Sequence, residues 1–124
     1  MSRKGSPTLT EAETRVMAVL WRLNTATVAD VLQALKKKHS VTYSTAQTIL
    51  RILEMKGYVT HEKVARAFVY TPVVDAPQAR RRALRHLITR LFDNSPSLLV
   101  LNVLDDDRLD PAELKRLKKL IEDA

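Results

Sequence analysis

Ser44, Gln47, Thr48 and Arg51 recur at i, i+3, i+4 and i+7, the spacing that puts four side chains on one helix face. All four donate or accept hydrogen bonds, and none is a carboxylate. That chemistry suits an anionic partner. In a DNA major groove Gln bridges an adenine edge and Arg a guanine edge, while Ser and Thr hydroxyls reach phosphates. With Thr45 beside the stripe, the base-reading candidates are Ser44, Thr45, Gln47, Thr48 and Arg51. The same residue types also make an ordinary solvated face, so the reading depends on the flanks.

Little else in the chain offers chemistry. His39, His61 and His86 are dispersed, without the H-x-x-x-H or H-E-x-x-H spacing of a metal site. There is no cysteine, which removes disulfides and thiolate ligands and fits a reducing cytoplasm. Two glycines far apart, Gly5 and Gly57, exclude a phosphate-cradling glycine loop. Asp105-Asp106-Asp107 reads as a solvated acidic turn. No nucleophile, base and orienting group stand out. We therefore expect no enzyme, no metal and no cofactor.

The 124 residues carry a net charge of +7, which favours a polyanionic partner. Residues 1–75 hold eleven Lys/Arg against six Asp/Glu, net +5; residues 76–124 hold ten against eight, net +2. The first half is the expected nucleic-acid surface. The basic start, residues 1–8, reads as a disordered terminus, with Arg3 and Lys4 contacting a phosphate as the alternative, and it lacks the apolar run of a signal peptide. The longest apolar run, Leu98–Leu101, is far short of the ~20 residues a membrane span needs, so no insertion is expected.

The reading stripe needs a helix to carry it. Ala46, Ile49, Leu50 and Leu53 supply the opposite apolar stripe, Thr42 or Ser44 the cap, and Gly57 the stop. Two helices precede it. Thr10 and Glu13 form a capping box ahead of Val16, Met17, Leu20 and Leu23, with Asn24 as the stop and Trp21 at the core's edge. Thr27 and Asp30 open a second helix, buried through Val28, Val31, Leu32 and Leu35. It ends in Lys36, Lys37 and Lys38, which suit the dipole of a helix end. Lys38 is also a phosphate candidate, just ahead of the reading helix.

A hairpin follows, Tyr58–Glu62 and Ala67–Tyr70, closed by Pro72, with Lys63 and Arg66 in its connection. Three helices and a hairpin with a basic tip is the winged helix-turn-helix plan. The third helix would enter the major groove, with Lys63 and Arg66 on the backbone.

Four collinear segments carry a family resemblance: L-T-E-A-E-T-R-V-M-A-V-L-W (9–21), A-T-V-A-D-V (26–31), T-Y-S-T-A-Q-T-I-L-R-I-L-E-M-K-G-Y-V (42–59) and R-A-F-V-Y-T-P (66–72). Together they resemble the BlaI/MecI/CopY family of penicillinase and copper-responsive repressors. The resemblance implies a dimeric winged-helix repressor on inverted TACA/TGTA-like half-sites, paired through C-terminal helices. The copper-responsive branch carries a cysteine-rich metal site, which this chain lacks. In the penicillinase branch a membrane sensor protease relieves repression by a cut between Asn and Phe in the pairing region. Here Asn102 precedes Val103 in a comparable segment, and the alternative is an Asn that pins the register of pairing.

The last third reads as a pairing module in its own right. Asp75 or Pro77 opens a helix to about Phe92, with Ala83, Leu84, Leu87, Ile88 and Leu91 as its stripe. Arg80, Arg81, Arg82 and Arg85 crowd its first turns, where they oppose the helix dipole. Asn94-Ser-Pro breaks the chain. Leu98, Leu99, Leu101 and Leu104 then belong to a segment apolar nearly all round, which a chain this small cannot bury alone. Burial between two copies is the expectation, and a core strand the alternative. A last helix starts at Asp110-Pro111 and carries Leu114, Leu117, Leu120 and Ile121.

The sequence thus predicts a mostly α fold with a small β-hairpin. Residues 1–74 form a winged-helix DNA-binding domain and 75–124 a helical dimerisation domain. The expected function is a cytoplasmic homodimeric repressor on double-stranded DNA. The competing reading is a winged-helix protein-interaction module, for which a net +5 in residues 1–75 has no use.

Overall fold

The computed structural model describes residues 8–123; Arg3 and Lys4 lie outside them. The elements run α1 (Glu11–Leu23), β1 (Ala26–Thr27), α2 (Val28–Leu35), α3 (Tyr43–Met55), β2 (Val59–Val64), β3 (Ala67–Pro72), α4 (Ala76–Leu91), α5 (Pro96–Leu104) and α6 (Pro111–Asp123).

Local chemistry sets the helix starts. The Thr10 hydroxyl accepts from the Glu13 N–H at 3.1 Å, and the Glu13 carboxylate from the Thr10 N–H at 2.9 Å. Thr27 and Asp30 repeat the exchange at 3.1 and 3.0 Å. Thr42, not Ser44, caps α3, accepting from the Thr45 N–H at 3.2 Å. Asp75 and Gln78 cap α4 reciprocally. Asn24 at φ 72° and Gly57 at φ 83° end α1 and α3.

One core joins these elements. Val16, Met17, Val19 and Leu20 of α1 meet Val28, Val31 and Leu35 of α2 and Ala46, Leu50 and Leu53 of α3. Tyr58, Val59 and Tyr70 close it from the sheet side. Leu23, expected in the buried stripe, is 42% exposed. It sits in the last turn of α1, beside the reversal at Asn24, and Val19 takes its place inside. Trp21 is half-buried as expected, and its indole N–H donates to the Val74 carbonyl at 2.9 Å.

The sheet is antiparallel in the order β1-β3-β2. The hairpin is longer than expected, pairing Val59 with Pro72 at one end and Val64 with Ala67 at the other. Lys63 therefore lies within β2, opposite Phe68, and the turn is Ala65-Arg66 alone. Ala65 has φ 57°, a conformation that suits glycine. The third strand, β1, pairs Ala26 with Tyr70 and Thr27 with Val69.

The chain forms two compact units, divided between Leu84 and Arg85, within α4. In the second unit, Asp93 and Asn94 have positive φ, and the Ser95 hydroxyl caps α5 from the Leu98 N–H. The apolar segment at 98–104 is thus a helix; the core-strand alternative is excluded, because Ser95 and Pro96 start a helix there. No residue of α5 or α6 is buried. Among the described residues no helix is long and apolar enough to cross a membrane.

Candidate nucleic-acid interface

The core residues Ala46, Leu50 and Leu53 fix the rotation of α3. Opposite them, Ser44, Thr48 and Arg51 are all exposed. Met55, 59% exposed, extends that row one turn past Arg51. It is not legible in the sequence, where a methionine at helical spacing reads as core. Gln47 is half-buried on the flank that Tyr43 shares, one turn earlier. Thr45 stands on the other flank, and its hydroxyl oxygen accepts from that of Thr42 at 3.0 Å, so it takes part in the helix cap.

The carboxylate nearest this face is held aside. Glu54 engages the His61 Nδ1 of β2 at 2.7 and 2.9 Å through its two oxygens. The His61 ring in turn packs at a tilt against Phe68 and Tyr70, with centroids 4.7 and 5.4 Å apart. The wing is thereby tied to the C-terminal half of α3. Burial pushes the Tyr70 phenol above its ordinary value; the Glu54 carboxylate adds to that, Arg51 opposes it, and Tyr43 raises it further.

Wing and helix enclose a groove of about 330 Å³. Tyr43 and Gln47 line it from α3, Lys63, Arg66, Ala67 and Phe68 from the hairpin, and Thr27, Val28 and Ala29 from the start of α2. Two sequence-selected cations and Gln47 thus meet around one concavity. Lys38 does not join them. It is exposed on the turn after α2, where residues 36–41 line a separate hollow.

Behind the face, α3 is anchored by a buried ion pair. Lys56 Nζ lies 2.7 Å from Glu13 Oε1, with both side chains under a tenth exposed. It also donates to the Thr8 carbonyl at 3.1 Å. The Glu13 oxygen that receives Lys56 is the one that caps α1.

In the second unit, Leu91, Leu98, Leu101 and Ile121 are exposed, and Ile88, Leu99, Leu104 and Leu117 are half-buried. Leu84 and Leu87, either side of the unit boundary, are exposed too. Asn102 is exposed, and its side-chain amide donates to the Leu98 carbonyl at 2.9 Å; Val103, which follows it, is also exposed. Among the described residues no group of three or more His, Asp or Glu stands together as a metal site.

Three helices, a three-stranded sheet whose last two strands form the wing, and an acid-free outward face on the third helix define a winged helix-turn-helix protein. The chain belongs to the penicillinase repressor family, whose model matches residues 9–123. That family is one of transcriptional repressors, not of enzymes. A penicillinase repressor of Bacillus licheniformis is 31% identical over 120 residues, covering 97% of this chain and 94% of that protein. The solution structure of the DNA-binding domain of the repressor BlaI is 35% identical and covers 63% of this chain and 93% of that one, with a TM-score of 0.53. The solution structure of monomeric Bacillus licheniformis BlaI in complex with the blaP half-operator is 33% identical over the same shares, with a TM-score of 0.50.

Proposed function

We propose that this chain is a cytoplasmic transcriptional repressor that binds double-stranded DNA as a homodimer on a near-palindromic operator. The observation that carries the reading is the outward row of α3, free of carboxylates, beside a wing bearing Lys63 and Arg66. The half-operator complex of a 33% identical relative supports the same partner. Ser44, Thr45, Gln47, Thr48 and Arg51 read bases, with Thr45 constrained by its place in the cap. Lys63, Arg66 and Lys38 hold phosphates.

Residues 1–74 form the DNA-binding domain and 75–124 the pairing domain. Leu84, Leu87, Ile88, Leu91, Leu98, Leu99, Leu101, Leu104, Leu117 and Ile121 meet their counterparts in a second copy. The support is an apolar helix, α5, with no buried residue. Two reading helices then enter successive major grooves roughly 34 Å apart. A membrane sensor protease cutting between Asn102 and Val103 would split the pairing domain and remove the bivalency that holds the operator.

A gel shift at two salt concentrations tests the reading. If the dimer neutralises ~6–10 phosphates, affinity falls by ~10³–10⁵ between 50 and 200 mM salt. Arg51→Ala costs ~1–3 kcal/mol and relaxes preference at one position, whereas Lys63→Ala weakens all sequences alike. A flat salt response, or no binding to any duplex, refutes the reading and leaves the protein-interaction module.

A further inference from the structure

The outward row of α3 accounts for base contacts, but not for the groove at its side. Tyr43 on one wall is 50% exposed and Phe68 on the other 42% exposed. Two partly exposed aromatic rings thus share one groove. Lys63 and Arg66 line the same groove, no carboxylate does, and neither cation is in an ion pair among the described residues. At about 330 Å³ the space sits at the small end of ligand clefts.

We propose that this groove clamps one sugar-phosphate unit of the DNA strand. Arg66 and Lys63 take the phosphate, and the Tyr43 and Phe68 rings take the C–H face of the deoxyribose. The inference rests on the DNA-binding reading and adds two residues to it. Both walls are preset. Tyr43 is the first residue of α3, placed by the Thr42 cap, and Phe68 is held by the His61 ring, itself fixed by Glu54. A rigid notch for backbone positions the protein without carrying sequence information. It sets how far α3 lies from the wing-side strand, and so which bases the outward row can reach.

Binding is measured on a duplex selected from a random library and on random duplex, across a salt series. Tyr43→Ala should weaken both about tenfold, equivalent to uncovering on the order of 50 Å² of apolar surface, with an unchanged salt slope. Tyr43→Phe should keep wild-type affinity. Arg66→Ala should lower the slope of log K against log salt by about 0.9, the release of one phosphate contact. With unmodified Tyr43, a series of duplexes each bearing one methylphosphonate should contain one position at which Arg66→Ala costs nothing further. The clamp is refuted if Tyr43→Ala leaves affinity intact, weakens only the selected duplex, or if no such position exists. Arg51→Ala separates the two levels. If it weakens binding while Tyr43→Ala does not, the clamp fails and the DNA reading stands; if wild-type protein binds no duplex, both fall.

Discussion

Replacing Lys56 by Met removes one charge from the buried pair behind α3 and keeps most of the aliphatic stem. At 2.7 Å, the gross attraction is about 6 kcal/mol for an effective dielectric constant near 20. Desolvation of both groups offsets much of it, so the pair itself adds little net stability. Losing one partner is different, because the other charge stays buried. Such losses run to about 3–5 kcal/mol. Here Glu13 keeps its bond from the Thr10 N–H, which favours the low end, ~3 kcal/mol. That corresponds to a midpoint roughly 12–24 °C lower for a unit of this size. Glu13→Gln retains an acceptor for Thr10 while dropping the opposite charge. The double variant Glu13→Gln/Lys56→Met should therefore recover about 2 kcal/mol relative to the sum of the singles. Urea unfolding followed by the fluorescence of Trp21, the single tryptophan and part of the same unit, measures all three. A loss below about 1 kcal/mol for Lys56→Met, the range of an exposed pair, would refute the reasoning. So would strict additivity.

Three further outcomes are expected. Ala65→Gly should stabilise the wing unit by about 0.5–1 kcal/mol, since Ala pays for its φ of 57° more than Gly loses in chain entropy; a destabilised variant in the same urea assay overturns this. Leu101→Asp should convert a dimer to a monomer in sedimentation equilibrium with the helical circular dichroism kept, because Leu101 is 58% exposed in the single chain; an unchanged mass removes α5 from the interface. Folding holds the Tyr70 phenol neutral, raised above its ordinary value chiefly by burial, so the unfolded chain releases that proton first as pH passes about 10. Stability conferred by this group is then full below pH ~10 and declines above it, and Tyr70→Phe should flatten the alkaline side of the stability curve.

Much of the first unit was legible because its signals are local. The capping boxes at Thr10 and Thr27 need only three residues of context, and both form. The stop at Gly57 and the rotation of α3 followed from period and backbone preference. What escaped depends on distant partners or on length. β1 has two residues, too few to alternate, and exists because β3 offers an edge. The Lys56–Glu13 pair joins residues 43 apart, and in sequence each looks like a surface charge. Composition alone puts Lys63 in a connection, since no glycine marks the true turn at Ala65-Arg66. Period alone leaves Thr42 or Ser44 as the cap of α3, and only the start at Thr42 puts Tyr43 in the helix, on the wall of a groove.

The Asn102–Val103 bond lies inside α5, with the Asn side chain fastened to the carbonyl one turn back. A protease that grips an extended strand would reach this bond only when the turn around it melts. Under the proposed relief of repression, the rate of cutting would track how often α5 opens, as well as the amount of active protease. A substitution that tightens α5 would then delay induction without touching the operator or the enzyme.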